Sequence, residues 1–294
     1  MPRALPVVPR LLLGTGSLLG VSRATRDRTL QVATRFAEPE SLAVTISKAL
    51  KAGAEGVLAS PSRSLRQALK ELPERVPTYA LLPNVREYTR DWADLGPRGT
   101  IGKRIAQTGF MGRLRLSFSA LWRYPGVMSG DFVSRVLMLV EAEAEWLQSR
   151  DLRAVVLAVP FTDLALAGRQ RRFFDTFCRL ARGDFNAMAG FETRNLGHLL
   201  AAFDEWGLTP DFVLGPVNPR GLGMKPDRET VLDRLTRTKV PVLASELRAA
   251  GQITLVEGAR FARESGAHGL VPDLVDLDDL SAELRALQAE RRSA

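Results

Sequence analysis

Glu192 and Glu246 are the residues whose type and placement most directly suggest chemistry. Each ends a short apolar run, Ala187-Met-Ala-Gly-Phe191 or Val242-Leu-Ala-Ser245. A carboxyl at the tip of a buried strand acts as a general acid when burial raises its pKa, and as a base when a neighbouring cation or amide keeps it ionised. The two are therefore assigned as candidate proton-transfer groups. Arg194 and Arg248 follow them closely, so simple ion pairing or helix capping is the alternative role for each. Asp163 is a third carboxylate after an apolar run, and Thr162-Asp163 also reads as a helix cap.

Candidate substrate-binding residues gather at equivalent places. Asn84 follows Leu82-Pro83, and Asn218 follows Gly215-Pro-Val. An amide there orients a carbonyl or carboxylate, or else closes a local turn. The run Gly215-Pro-Val-Asn-Pro-Arg-Gly-Leu-Gly-Met-Lys-Pro226 is the most unusual local sequence in the chain. Its alternating Gly and Pro predict a stiff loop that presents Arg220 and Lys225 to an anionic group, and Ser245 adds a hydroxyl beside Glu246. Lys225 lies too far past its strand to be favoured as a Schiff-base nucleophile. The set predicts a small anionic substrate.

These residues need a scaffold that brings strand ends together. Apolar runs bounded by Gly, Pro, Ser or Asn predict eight strands at 11–14, 56–60, 78–82, 154–159, 187–191, 212–215, 242–245 and 269–271. Helical patterns fall between them, at 40–52, 64–72, 131–149, 168–182, 194–206, 227–236 and 255–264, with a last one at 277–291. Strand alternating with helix is the pattern of a parallel sheet covered by helices, and eight units favour closure into a (βα)8 TIM barrel. The phrase Lys51-Ala-Gly-Ala-Glu-Gly-Val-Leu58 returns as Glu264-Ser-Gly-Ala-His-Gly-Leu-Val271, each copy a Gly-capped helix end leading into a strand. No G-x-G-x-x-G opens a helix after the first strand, which disfavours an open dinucleotide fold. In a barrel the active site lies at the carboxyl ends of the strands.

The 294 residues are 45% hydrophobic, enough for one barrel domain over 1–294 with a helical insertion at about 85–128, between strands 3 and 4. The insertion interleaves Lys103, Arg104, Arg113, Arg115 and Arg123 with apolar residues, as for a cap, a homo-oligomer contact or a patch on anionic membrane. A net charge of +8 favours anionic partners, but it is diffuse and carries no zinc-finger or RNA-recognition spacing, so nucleic acid is not expected. Cys178 is the only cysteine, and neither His198 nor His268 has ligand spacing, so no Cys or His metal site is predicted, while Mg²⁺ held by Glu192, Glu246 or Asp273 stays open. Gly14-Thr-Gly-Ser17 interrupts the amino-terminal apolar run, which reads as a strand and leaves a cytoplasmic location as the expectation.

Residues 211–272 contain Asn218-Pro-x-Gly-x-x-Met224-x-Pro226, then Val240-Pro-Val-Leu-Ala-Ser and Ala249-Ala-Gly251. This segment resembles the closing part of poorly characterised (βα)8-barrel proteins and, distantly, of aldo/keto reductases. The latter resemblance implies a tyrosine proton donor assisted by Lys and Asp at the mouth. Tyr79 falls inside strand three, while Tyr88 and Tyr124 fall in the insertion, so the fold is carried over and the hydride chemistry is not. The functional expectation is acid/base chemistry of lyase, aldolase or isomerase type. The alternatives are a nicotinamide- or flavin-dependent barrel oxidoreductase, and a non-catalytic binding or membrane-associated protein that works through the basic insertion. The sequence itself names no cofactor.

Overall fold

The computed structural model describes residues 7–16, 34, 36, 38–84, 93–94, 131–144, 151–272, 282–285 and 287. Eight parallel strands run in sequential order: β1 (Leu13–Gly14), β2 (Val57–Ala59), β3 (Pro77–Leu82), β4 (Asp151–Leu157), β5 (Met188–Glu192), β6 (Phe212–Pro216), β7 (Val242–Ser245) and β8 (Gly269–Leu270). A parallel bridge joins Leu11 to Leu270, where Leu12 N donates to Leu270 O at 3.0 Å and Leu270 N to Arg10 O at 2.9 Å. The last strand is thus bonded to the chain that opens the first, the arrangement of a (βα)8 barrel. Apart from residues 93–94, the 85–128 insertion lies outside the described residues.

Eight α-helices are described between and after the strands: α1 (Pro39–Lys51), α2 (Arg63–Glu71), α3 (Phe132–Ala144), α4 (Val159–Ala167), α5 (Arg171–Asp184), α6 (Leu196–Trp206), α7 (Arg228–Arg237) and α8 (Leu255–Glu264). Their starts follow local chemistry. Ser62 accepts the Leu65 N–H before α2, and Asp227 accepts the Thr230 N–H at 2.7 Å before α7. Thr254 and Glu257 form a reciprocal capping box on α8. After β4 the sequence predicts one helix at 168–182, whereas the chain forms two. Pro160 fits the first turn of a helix that starts directly at Val159, and Arg169, in a left-handed conformation at φ 48°, turns the chain into α5. No helix among the described residues is long and apolar enough to cross a membrane.

Alternation along the strands separates two cores. Leu12, Leu58, Tyr79, Ala154, Val156, Met188, Phe212, Leu214, Leu243 and Val271 fill the barrel interior. The intervening strand residues, such as Val155, Leu157, Ala189 and Phe191, face the helices. Gly190 makes the interior possible, since a Cβ there would lie 2.5 Å from the Phe212 ring. The repeated glycine phrase also acquires a physical role. Gly53 and Gly266 take φ of 99° and 92° at the helix ends, the region where a side chain is strained.

Candidate functional site

The carboxyl ends of β4 to β7 bring four charged residues into one network. Glu192 closes β5, and its Oε2 accepts the Val159 N–H at 3.3 Å, at the amino end of α4. That end carries exposed N–H groups and the positive end of the helix dipole, which suits a carboxylate. Asp163, one turn further along α4, reaches across to the segment that follows β5. Thr193 Oγ1 donates to Asp163 Oδ1 at 2.5 Å, and the Arg194 N–H donates to Oδ2 at 3.3 Å. Burial holds the Asp163 carboxyl above its ordinary value, against the lowering effect of hydrogen bonds from Thr193 and Asn195. Asp163 is therefore a cross-element tie and not the helix cap that its neighbour Thr162 suggested. Thr162 itself lies within α4 and donates to Leu157 O at 3.1 Å.

Glu246 approaches this network from β7. Its Oε1 lies 3.9 Å from the Arg194 guanidinium, with the Glu246 side chain only 18% exposed. Its backbone is held at φ 54°, a strained conformation for a residue with a side chain. Two more non-glycine residues of the same loop, Ala249 and Ala250, take φ of 47° and 59°. The loop is pinned from behind by α8, because Gly258 lets the Leu247 carbonyl approach so closely that a Cβ would stand 2.0 Å from the oxygen. It is also tied to the carboxyl-terminal segment by an ion pair between Arg248 and Glu283. Arg194 thus links the ends of β5 and β7, and Glu192 links β5 to α4.

The remaining sequence candidates divide. Asn84 is buried, with its N–H donating to Glu143 Oε2 at 2.7 Å and its side-chain amide donating to Pro61 O. Asn218 is fully buried and braces its own loop: Nδ2 donates to Leu222 O at 2.9 Å, while Oδ1 accepts the Leu222 N–H at 3.0 Å. Both amides hold the backbone that shapes the mouth. Arg220 and Lys225 are exposed on that braced loop, where Gly221 and Gly223 take φ of 69° and 75°. The Lys225 carbonyl accepts the Gly197 N–H at 2.9 Å, so the β6 loop itself covers part of the amino end of α6. Ser245 is half-buried at the end of β7 and accepts the Val217 N–H through its carbonyl at 3.1 Å.

Tyr79, the only described tyrosine, does not stand at the mouth. It lies inside the barrel against Phe212, and burial pushes its phenol up to about 12, with the charges of Arg153, Glu55 and Asp151 felt from the strand starts. No group of three or more potential metal-ligating side chains occurs among the described residues. Sequence reasoning missed the tie between Asp163 and Thr193 and the bridging place of Arg194. These contacts join residues 30 and 52 positions apart, and only the order of the strands brings them together.

No protein-family model matches the sequence, and no curated protein matches it significantly. Among solved structures, the apo form of Gox0644 is 12% identical with a TM-score of 0.51, covering 98% of this chain and 94% of that one. An aldo/keto reductase from Brucella melitensis is 12% identical with a TM-score of 0.44, covering 98% and 99%. At that identity the likeness to Gox0644 concerns the fold alone. The class these observations define is an α/β protein with eight parallel strands in barrel order. The expectation of lyase, aldolase or isomerase chemistry is corrected here: neither of these two structures is named for it, and the one activity named, that of the Brucella protein, is a reductase's. Glu192 and Glu246 both face positive partners, a helix amino end and a guanidinium.

Proposed function

We propose that this chain is a barrel-type oxidoreductase, working in the cytoplasm, that binds a nicotinamide or flavin nucleotide at the carboxyl ends of its strands. The observation that carries this reading is the placement of two exposed cations, Arg220 and Lys225, on a β6 loop braced by Asn218, beside the charged network of β5 and β7. A nucleotide diphosphate needs fixed cations and closely approaching backbone, and a loop with two glycines at positive φ supplies the second. Such a nucleotide, when bound, supplies or accepts the hydride.

In this reading Arg220 and Lys225 hold the phosphates, and Ser245 lines the strand end between them and Glu246. Glu192 and Glu246 move the proton that accompanies reduction of a small anionic carbonyl substrate, with Arg194 setting the charge between them. A carbonyl oxygen that receives electron density needs a proton within hydrogen-bond reach, and these two carboxyls stand at the strand ends where such a substrate would sit.

The test follows oxidation of a reduced nucleotide, by its absorbance, against a panel of small keto and aldehydo acids. Turnover by the native chain, reduced by about 100-fold or more in Glu192→Gln or Glu246→Gln with folding intact, is the expected result. Full turnover in both variants removes the carboxylates from the reaction. No turnover with any nucleotide and substrate pair removes the oxidoreductase reading.

A further inference from the structure

A cavity lies on the face away from the carboxyl ends of the strands, where the chain leaves one helix and enters the next strand. It measures about 350 Å³ and sits between the end of α6, the turn into β6 and the end of α7 leading into β7. Its floor is apolar, with Leu200 and Phe203 at 3% and 1% exposure and Val240 buried beside them. Its rim carries Arg234, Arg237 and Lys239, with Asp204 as the one carboxylate among them. We propose that this cavity is a ligand site for a small organic anion, a phosphate or carboxylate carried on a compact apolar body.

Three features support that assignment. Arg234 and Arg237 lie in the last turn of α7, where cations also suit the helix dipole, but Lys239 lies beyond the helix and has no ion pair among the described residues. The carboxylates nearby leave the rim cationic. Asp233 is committed to Arg237 at 2.6 Å, and Asp204, at 84% exposure, stands 3.9 Å from Arg234, too far for a tight pair. Thr238 Oγ1 accepts the Val240 N–H at 3.1 Å, which leaves its own O–H available to donate into the cavity. A cavity of this volume, with an apolar floor and a few convergent polar groups, has the make-up of a small-molecule site. A bare inorganic anion would leave the Phe203 floor unused, and a neutral aromatic would leave the cations unpaired.

Binding is measured by the shift in thermal unfolding of the full chain, at constant ionic strength, with phenyl phosphate as the probe. Inorganic phosphate and benzyl alcohol are the comparison probes. Phenyl phosphate is expected to bind saturably and about tenfold more tightly than either comparison probe. The double variant Arg234→Gln, Lys239→Gln is expected to weaken it by about tenfold or more, with unliganded unfolding little changed because Arg234 is only half-buried and Lys239 is exposed. Thr209→Trp, which fills the rim without altering charge, is expected to block it. Arg220→Gln at the mouth is expected to leave it intact. Loss of the signal in Arg220→Gln, persistence in the double variant, or equal affinity for inorganic phosphate would each overturn the assignment. The mouth and this cavity are tested by different variants, so either reading stands or falls without the other.

Discussion

The two ends of the barrel are both rich in ion pairs, yet they use them differently. At the amino ends, charged side chains fasten strand starts to their neighbours. Asp211 Oδ2 accepts the Ala189 N–H at 2.7 Å and pairs with Arg182 at 3.0 Å, and the Arg10 guanidinium donates to His268 O at 2.7 Å. Backbone groups that would otherwise be orphaned are satisfied there, and the strands are held in register. At the carboxyl ends, Glu246 instead faces Arg194 at 3.9 Å from a strained backbone, and Arg220 and Lys225 project from a loop that others brace. One end spends its charges on closure. The other carries cations on a braced loop and carboxylates at strand tips, where a charged ligand can reach them.

Substitutions can break that contrast, and the largest effect is expected at Gly258. An alanine Cβ would meet the Leu247 carbonyl, so Gly258→Ala must displace either α8 or the loop after β7. A loss of about 3 kcal/mol in urea unfolding is expected, together with weakened nucleotide binding. A variant of native stability would show that the loop is not held from behind.

Asp211→Ala should cost less, about 1–3 kcal/mol, because it removes the acceptor of the Ala189 N–H and of Arg182 Nε. Nucleotide affinity should be unchanged. A large change in affinity with little loss of stability would erase the division between the two ends.

Glu246→Gly sharpens the comparison in the opposite direction. Relief of the positive φ is expected to stabilise the fold by up to about 1 kcal/mol while turnover falls. Asn186, at φ 49° between α5 and β5 and so at the amino end, is the control: Asn186→Gly should change stability similarly and leave turnover alone.

The smallest effect is a pH dependence. Burial raises the folded-state pKa of Asp163, so the folded chain favours its protonated form more than the unfolded chain does. This contribution to stability is fully present below the ordinary carboxylate value and is lost as pH rises through the raised one. Asp163 is only half-buried, so solvent screening keeps the contribution small. Asp163→Asn should flatten the unfolding profile across mildly acidic pH, and an unaltered profile would remove Asp163 from it.

Much of this architecture was legible in the sequence because its signals are local. Strand ends marked by Pro, Gly and Ser, and the two glycine-capped helix ends at Gly53 and Gly266, set the order of all eight strands. The split of α4 from α5 was not legible, since the left-handed Arg169 has no glycine to announce it. At the site, Glu192 and Glu246 were visible from their position after apolar runs. The use of Asn218 was not, because an amide that braces a loop and one that binds a ligand have the same sequence, and the Leu222 backbone decides between them. The partners of Asp163 and Arg194 lie on other βα units, and only strand order brings them close.

The most direct test of a nucleotide-binding mouth is calorimetric titration of the full chain with nicotinamide and flavin nucleotides, repeated with the double variant Arg220→Gln, Lys225→Gln. Saturable binding of one nucleotide by the native chain, weakened by about tenfold or more in the variant, is the predicted result. No saturable binding of any of them, or equal binding by both proteins, would contradict the account.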